Sequence, residues 1–356
     1  MIDTYLSDKL KAISFFAMVL VVFIHGTTMM FNFGSGVAVE KDSFNLFVQS
    51  FVSDGLARIA VPSFFAISGF FFFQGKKITT SFFTDKIKKR FHSLFIPYIS
   101  WSILSLLFYW LLQQIPYSKP FFITRLVANF SFEQLVHVIF LDPLAYQLWF
   151  IRDLMVLVCL SPFIYLAIRY TKWLLLLIAI VMWVSNMYLY VFQNMSFCFF
   201  VLGASIALLP FSFPKIAPKL SIILGVLWLM LCATRTYLLV CLNMGIYYHY
   251  LNLMQSFTIV IGMLAVWLGY DVLMKHKKIT QWWMMIFSYT FFVYAFHEPM
   301  LTILRKASFY FSNKSVFSLF VLYWLCPILS VVIAIIVAKT LQKLMPRFYT
   351  IIIGGR

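Results

Sequence analysis

Charge is what this chain has least of. Asp, Glu, Lys and Arg make up 11% of its 356 residues, and only 11 are acidic. A water-soluble surface ordinarily carries about a quarter charged residues. With 63% hydrophobic residues and a mean hydropathy of +0.93, this surface is built for lipid. Cysteine is also sparse, and Cys159, Cys198, Cys232, Cys241 and Cys326 all fall in apolar runs without metal-ligand spacing. They read as buried thiols, which excludes a disulfide framework and leaves no expected metal. A glycine-rich phosphate cradle is missing, so phosphate recognition rests on Lys and Arg side chains. Internal repeats of the kind usual in secondary transporters are missing too. No stretch is polar enough for a soluble extracytoplasmic domain, so an outer partner must come to the membrane. The net charge of +17 is spread along span borders, which gives no support to nucleic-acid binding.

What is present is a series of long apolar runs. A span needs roughly 20 apolar residues, and in hydrocarbon every backbone group must be satisfied within its own segment. These runs are too long for barrel strands. The expected fold class is therefore all-α: a polytopic membrane protein of about ten transmembrane helices, forming a single transmembrane domain over residues 1–356. The first run, Leu10 to Phe33, lacks a small-x-small cleavage site and reads as a retained helix. The others lie near 56–75, 93–115, 146–168, 173–192, 197–211, 220–242, 253–273, 283–304 and 316–338. Residues 116–145 carry Phe121, Phe122, Leu126, Val127, Phe130, Leu135 and Val138 among polar residues, the pattern of an interfacial amphipathic segment.

The positive-inside rule sets the orientation. A cytoplasmic N-terminus gathers on one side Lys9 and Lys11, then Lys76, Lys77, Lys86, Lys88, Lys89 and Arg90. The same side takes Arg169, Lys172, Lys215, Lys219, Lys275, Lys277 and Lys278, and the tail Lys339, Lys343, Arg347 and Arg356. Both termini are then cytoplasmic and residues 116–145 lie outside. Arg305, Lys306 and Lys314 form an outer cluster that runs against the rule.

An ionisable side chain at bilayer depth costs about 2.5–3.5 kcal/mol on insertion scales, so each one has a partner or a purpose. The intramembrane set is His25, Arg152 with Asp153, Arg235, and His297 with Glu298, while Arg58 sits at the mouth of the second span. Counting at 1.5 Å per residue places His25, Arg235 and His297 roughly 20 Å from the cytoplasmic edge. Arg152 and Asp153 lie near the outer start of the fourth span. A shared outer-half layer on four helices points to a common polar cavity. Structural readings stand beside it: Arg152 and Asp153 neutralising each other, Arg235 snorkelling to headgroups, Glu298 ending a helix before Pro299, and His25 as a hydrogen-bonding helix residue. Imidazole is nonetheless the side chain best placed to exchange a proton near neutral pH.

The chain resembles the membrane-bound acyltransferase 3 family. The similarity runs through Asp8-Lys9-Leu10-Lys11 to Ile24-His25, Val61-Pro62-Ser63 to Ser68-Gly69-Phe70, and Lys89-Arg90 with Pro97-Tyr98 and Trp101. It continues at Leu148-Trp149-Phe150-Ile151-Arg152-Asp153, Ser161-Pro162, Leu202-Gly203 and Tyr294-Ala295-Phe296-His297-Glu298-Pro299. The resemblance implies transfer of an acyl group, commonly acetyl from acetyl-CoA, to a cell-surface carbohydrate acceptor at the outer face of the inner (plasma) membrane. It makes His25 the catalytic histidine, as base or acyl carrier, and puts Ser68 near the acyl path. The family arginine eleven positions before the histidine is replaced by Ser14, with Lys11 as its substitute on the same side of the helix. Asp153, Arg152, His297 and Glu298 complete the catalytic candidates. Lys89 and Arg90 are the donor-phosphate candidates with Lys11, and Arg235, Arg58 and Trp149 the acceptor candidates. A transporter or exporter using the same polar layer without chemistry is the rival expectation, and a membrane scaffold leaves that layer unexplained.

Overall fold

The computed structural model describes residues 4–29, 42–75, 78–116, 126–187, 189, 191–211, 218–242, 244–274, 278–313 and 315–355. Lys76, Lys77, Lys215, Lys275, Lys277, Lys314 and Arg356 of the basic clusters lie outside the described residues. So do residues 117–125 of the expected interfacial segment and 30–33 of the expected first span. Among the described residues there is no strand, and the chain is all-α. In chain order the principal helices are α1 Thr4–His25, α2 Ser43–Phe73, α3 Ser81–Gln114, α4 Phe132–Phe140, α5 Tyr146–Cys159, α6 Ser161–Thr171 and α7 Trp173–Val184. They continue as α8 Asn194–Leu208, α9 Pro218–Val240, α10 Gly245–Met274, α11 Gln281–Phe287, α12 Thr290–Phe311, α13 Val316–Leu344 and α14 Pro346–Ile353.

Each expected span overlaps helical residues, with 146–168 divided between α5 and α6 and 283–304 between α11 and α12, and length separates them. Five helices, α2, α3, α9, α10 and α13, are long and apolar enough to cross a membrane. The bent pair α5 and α6, with 60° between them, makes a sixth if it counts as one broken span. With 12 and 15 residues, α7 and α8 reach about 18 and 22 Å, short of a hydrocarbon core about 30 Å thick. The first helix starts six residues before the expected Leu10 and stops at His25, followed by a turn. Its early start follows from partners for its polar residues: Lys9 is buried with Nζ 2.7 Å from Asp271 Oδ2 and 3.8 Å above the Trp267 ring. His25 therefore sits at a helix end rather than in its middle.

The chain forms two compact units. The first comprises Met1–Ile24, Leu46–Ile87 and Val156–Thr290. Its tightest seam joins α2 to α8, where Gly69 faces the Phe200 carbonyl and Gly203 faces the Ala66 carbonyl. A Cβ at either glycine would overlap a backbone oxygen, so the two helices touch main chain to main chain, the small-residue packing that substitutes for hydrophobic attraction in lipid. The expectation that Ser68-Gly69-Phe70 marks an acyl path thus has a packing explanation for its glycine. Gly203→Ala is expected to force the seam apart, costing about 1–3 kcal/mol or more and lowering the melting temperature in detergent. A melting temperature equal to the parent's would contradict this seam.

The second unit comprises His25–Asn45, Lys88–Met155 and Phe291–Arg356. Here α14 folds back so that the Ile352 carbonyl accepts from Trp101 Nε1 at 2.9 Å, while the Phe292 ring lies 5.5 Å from Trp101 and 5.8 Å from Tyr349. The chain leaving α1 is tied to the start of α13 through Thr28 Oγ1 to the Leu319 carbonyl and Asn45 Nδ2 to the Val316 carbonyl. Within the expected interfacial segment, α4 opens with a capping box of Ser131 and Gln134. It turns Phe132, Val136 and Phe140 outward at four-residue spacing and buries Val138. Glu133, Gln134 and His137 are exposed as well, so the helix presents apolar and polar residues together.

Candidate functional site

The site is assembled around a proline. Pro299 has no N–H, so the carbonyl of Ala295, four residues earlier on α12, loses its intrahelical donor. Glu298, restricted by the following proline, leaves helical geometry at φ −110 and ψ 133. Gln147, buried just ahead of Trp149 on α5, supplies what the kink removes. Its Nε2 donates to the Ala295 carbonyl at 3.2 Å and to the Glu298 carbonyl at 3.0 Å, and its own carbonyl accepts from Tyr294 Oη at 2.7 Å. The kink in α12 is thus held against α5 by polar bonds on both strands of chain.

Past the kink, Glu298 and Arg305 are seven residues apart, two turns, and share a helix face. Both are buried, with side-chain exposures of 1% and 4%, and their nearest atoms are 3.5 Å apart. The Glu298 carboxylate also accepts from Tyr146 Oη at 3.1 Å and from the Thr302 backbone N–H at 3.4 Å. Arg305 donates to the Thr302 hydroxyl at 3.3 Å and, through Nη1, to the Thr27 carbonyl at 3.0 Å. That last bond fixes the turn that follows His25.

His25 itself is half-buried. Its ring meets Tyr146 edge-on at 4.9 Å and lies parallel to His297, 5.6 Å away with 17° between planes. His297 is wholly buried, and its Nδ1 lies 2.7 Å from the Tyr294 carbonyl. A carbonyl only accepts, so Nδ1 carries the proton and Nε2 keeps its lone pair. The result is a pair of imidazoles beside a tyrosine whose hydroxyl reads the charge of a buried carboxylate. Such a set can accept a proton, pass it and stabilise the cation so formed.

Of the residues expected from sequence, His25, His297 and Glu298 come together here. Asp153 is fully buried in the same unit, with Arg152 Nη2 at 3.5 Å, and Arg152 also donates to the Leu141 carbonyl at 3.1 Å. Trp149 opens the same helix, its ring 6.4 Å from that of Phe150. Lys89 is exposed and Arg90 half-buried at the end of the basic stretch of α3. The remaining candidates belong to the first unit. Arg58 pairs with Asp54, and Arg235 donates through Nε to the Leu251 carbonyl at 3.3 Å. Ser68 is half-buried beside the glycine seam. Lys11 is 51% exposed and 3.8 Å from Asp8, while Lys9 takes the buried position.

Sequence reasoning missed Tyr146, Gln147 and Arg305. From sequence Arg305 groups with Lys306 and Lys314 as an outer cluster against the orientation rule, whereas in the structure it lies on α12 as the buried partner of Glu298, and the seven-residue spacing carried that signal. Tyr146 and Gln147 sit at the start of α5, where nothing in composition marks a polar residue as facing a kink. A family model described as an acyltransferase domain matches residues 9–339. No curated protein and no solved structure matches the chain.

Proposed function

Since the chain belongs to this acyltransferase family, whose domain takes in nearly its whole length, we propose that it is a membrane O-acyltransferase moving acetyl from cytoplasmic acetyl-CoA to a hydroxyl of a lipid-linked sugar or surface polysaccharide. The observation that carries this reading is the packing of His25 against Tyr146 and His297, next to the buried Glu298–Arg305 pair. In the reaction, His25 takes the acceptor's hydroxyl proton as the oxygen bonds to the thioester carbon. The carbon–sulfur bond then breaks, CoA leaves as thiolate, and the imidazolium returns the proton to it. Glu298 stabilises that imidazolium through Tyr146, and Arg305 holds the carboxylate in place. Asp153 with Arg152 supplies further charge along the acceptor's route, and Trp149 an aromatic wall for it. Lys89 and Arg90 meet the donor's phosphates.

The same reading sets the chain in the inner (plasma) membrane, with about ten crossings counting the shorter helices and the broken ones, both termini cytoplasmic, and α4 resting on the outer interface through Phe132, Val136 and Phe140. Purified protein is expected to release thiol from acetyl-CoA, and surface glycan from a strain lacking the gene to have lost acetyl esters. Protein that is inert toward acetyl-CoA, together with unchanged glycan, sinks the proposal and favours a transporter.

A further inference from the structure

Two buried acceptor atoms at the α12 kink lack a hydrogen-bond partner among the described residues: Nε2 of His297, whose ring stacks on that of His25, and Oε1 of Gln147, the residue after Tyr146. Both side chains are enclosed, at 0% and 2% exposure. Neither orientation is open to exchange. Gln147 Nε2 lies against two carbonyls, which only accept, so the amide oxygen must be the other arm. His297 Nδ1 donates to the Tyr294 carbonyl, so Nε2 is the lone-pair nitrogen. Buried acceptors without donors are costly and rare in native interiors. Here two of them flank one kink, on residues that the Ala295 and Glu298 carbonyls hold together. Arg305, whose guanidinium binds Glu298 close by, disfavours a cationic ligand. The chemistry required is a neutral molecule with two O–H donors.

We propose that His297 Nε2 and Gln147 Oε1 bind two hydroxyls of the acyl acceptor, selecting a polyol over a simple alcohol and presenting one hydroxyl to His25. This rests on the reading of the protein as an O-acyltransferase, and the test separates the two.

His297→Asn keeps an N–H within reach of the Tyr294 carbonyl and removes the acceptor at the Nε2 position, whereas His297→Gln returns an amide oxygen near it. Full-length protein is given acetyl-CoA with either glycan extracted from a strain lacking the gene or octanol as a single-hydroxyl probe, and thiol release is also followed without acceptor. Expected for His297→Asn is a rise of at least tenfold in KM for glycan against a rise of no more than threefold for octanol, with partial recovery of the glycan KM in His297→Gln. Equal loss of thiol release and transfer makes His297 structural and overturns the inference, as does an unchanged glycan KM, which leaves only water at these atoms. Wild-type protein that releases thiol but acylates no glycan overturns this inference while the donor reading stands. Wild-type protein inert toward acetyl-CoA overturns the proposed function itself.

Discussion

His25→Ala is expected to lower acyl transfer by about 10² to 10⁴, the range for loss of a general base, while the protein inserts and melts as the parent does. The packing makes the second half of that expectation as firm as the first. His25 stands at the end of α1, half-buried, edge-on to the Tyr146 ring and stacked on that of His297. The turn beyond it is held independently by Arg305 on the Thr27 carbonyl and by Thr28 on the Leu319 carbonyl. His25→Asn and His25→Gln sharpen the experiment, because an amide hydrogen-bonds but does not accept the proton. If the base reading holds, both are as inactive as Ala. If His25 only bridges helices, the amides keep much of the activity and Ala loses melting temperature along with turnover. Activity of all three near that of the parent would falsify the assignment.

How far the sequence reaches can be judged from α12. The intramembrane His297 and Glu298 were legible because any ionisable side chain in an apolar run must be explained, and Pro299 marked the break. Arg305 was not, since it was counted with Lys306 and Lys314 as a loop charge under a rule meant for span borders. Extending the helix by two turns past the proline puts it back on the Glu298 face, so the information was present and the span boundary hid it. Gln147 is a different case. Its role is to replace hydrogen bonds lost at a proline on another helix, and the pairing of α5 with α12 is tertiary information that no local pattern holds. The same holds for Lys9, a border charge by sequence, which is buried and pairs with the partly exposed Asp271, 262 positions away. The all-α class and the helix positions followed from apolar run length. The number of crossings did not, because α7 and α8 are too short to span and α1 and α12, though long enough, carry several ionisable residues.

The Glu298–Arg305 pair leads to the largest expected loss of stability. Arg305→Met removes the guanidinium but leaves a carboxylate at 1% exposure with only neutral donors around it, the Tyr146 hydroxyl and the Thr302 hydroxyl and backbone N–H among them. Breaking a buried pair from one side leaves an uncompensated charge and costs about 3–5 kcal/mol. The Thr27 carbonyl also loses its donor, and the turn after His25 loosens. A pronounced fall in melting temperature in detergent is expected, with acyl transfer falling too. Adding Glu298→Gln to Arg305→Met removes the orphaned charge while the amide still bonds to Tyr146. The double variant is therefore expected to recover most of the melting temperature, since a neutral replacement of a buried pair is often tolerated. Activity is expected to stay low in it, because no carboxylate remains to stabilise the imidazolium through Tyr146. Recovery of both stability and turnover would make the pair purely structural. An Arg305→Met effect within about 0.5 kcal/mol, as for a surface substitution, would mean that the two charges are not coupled in the folded protein.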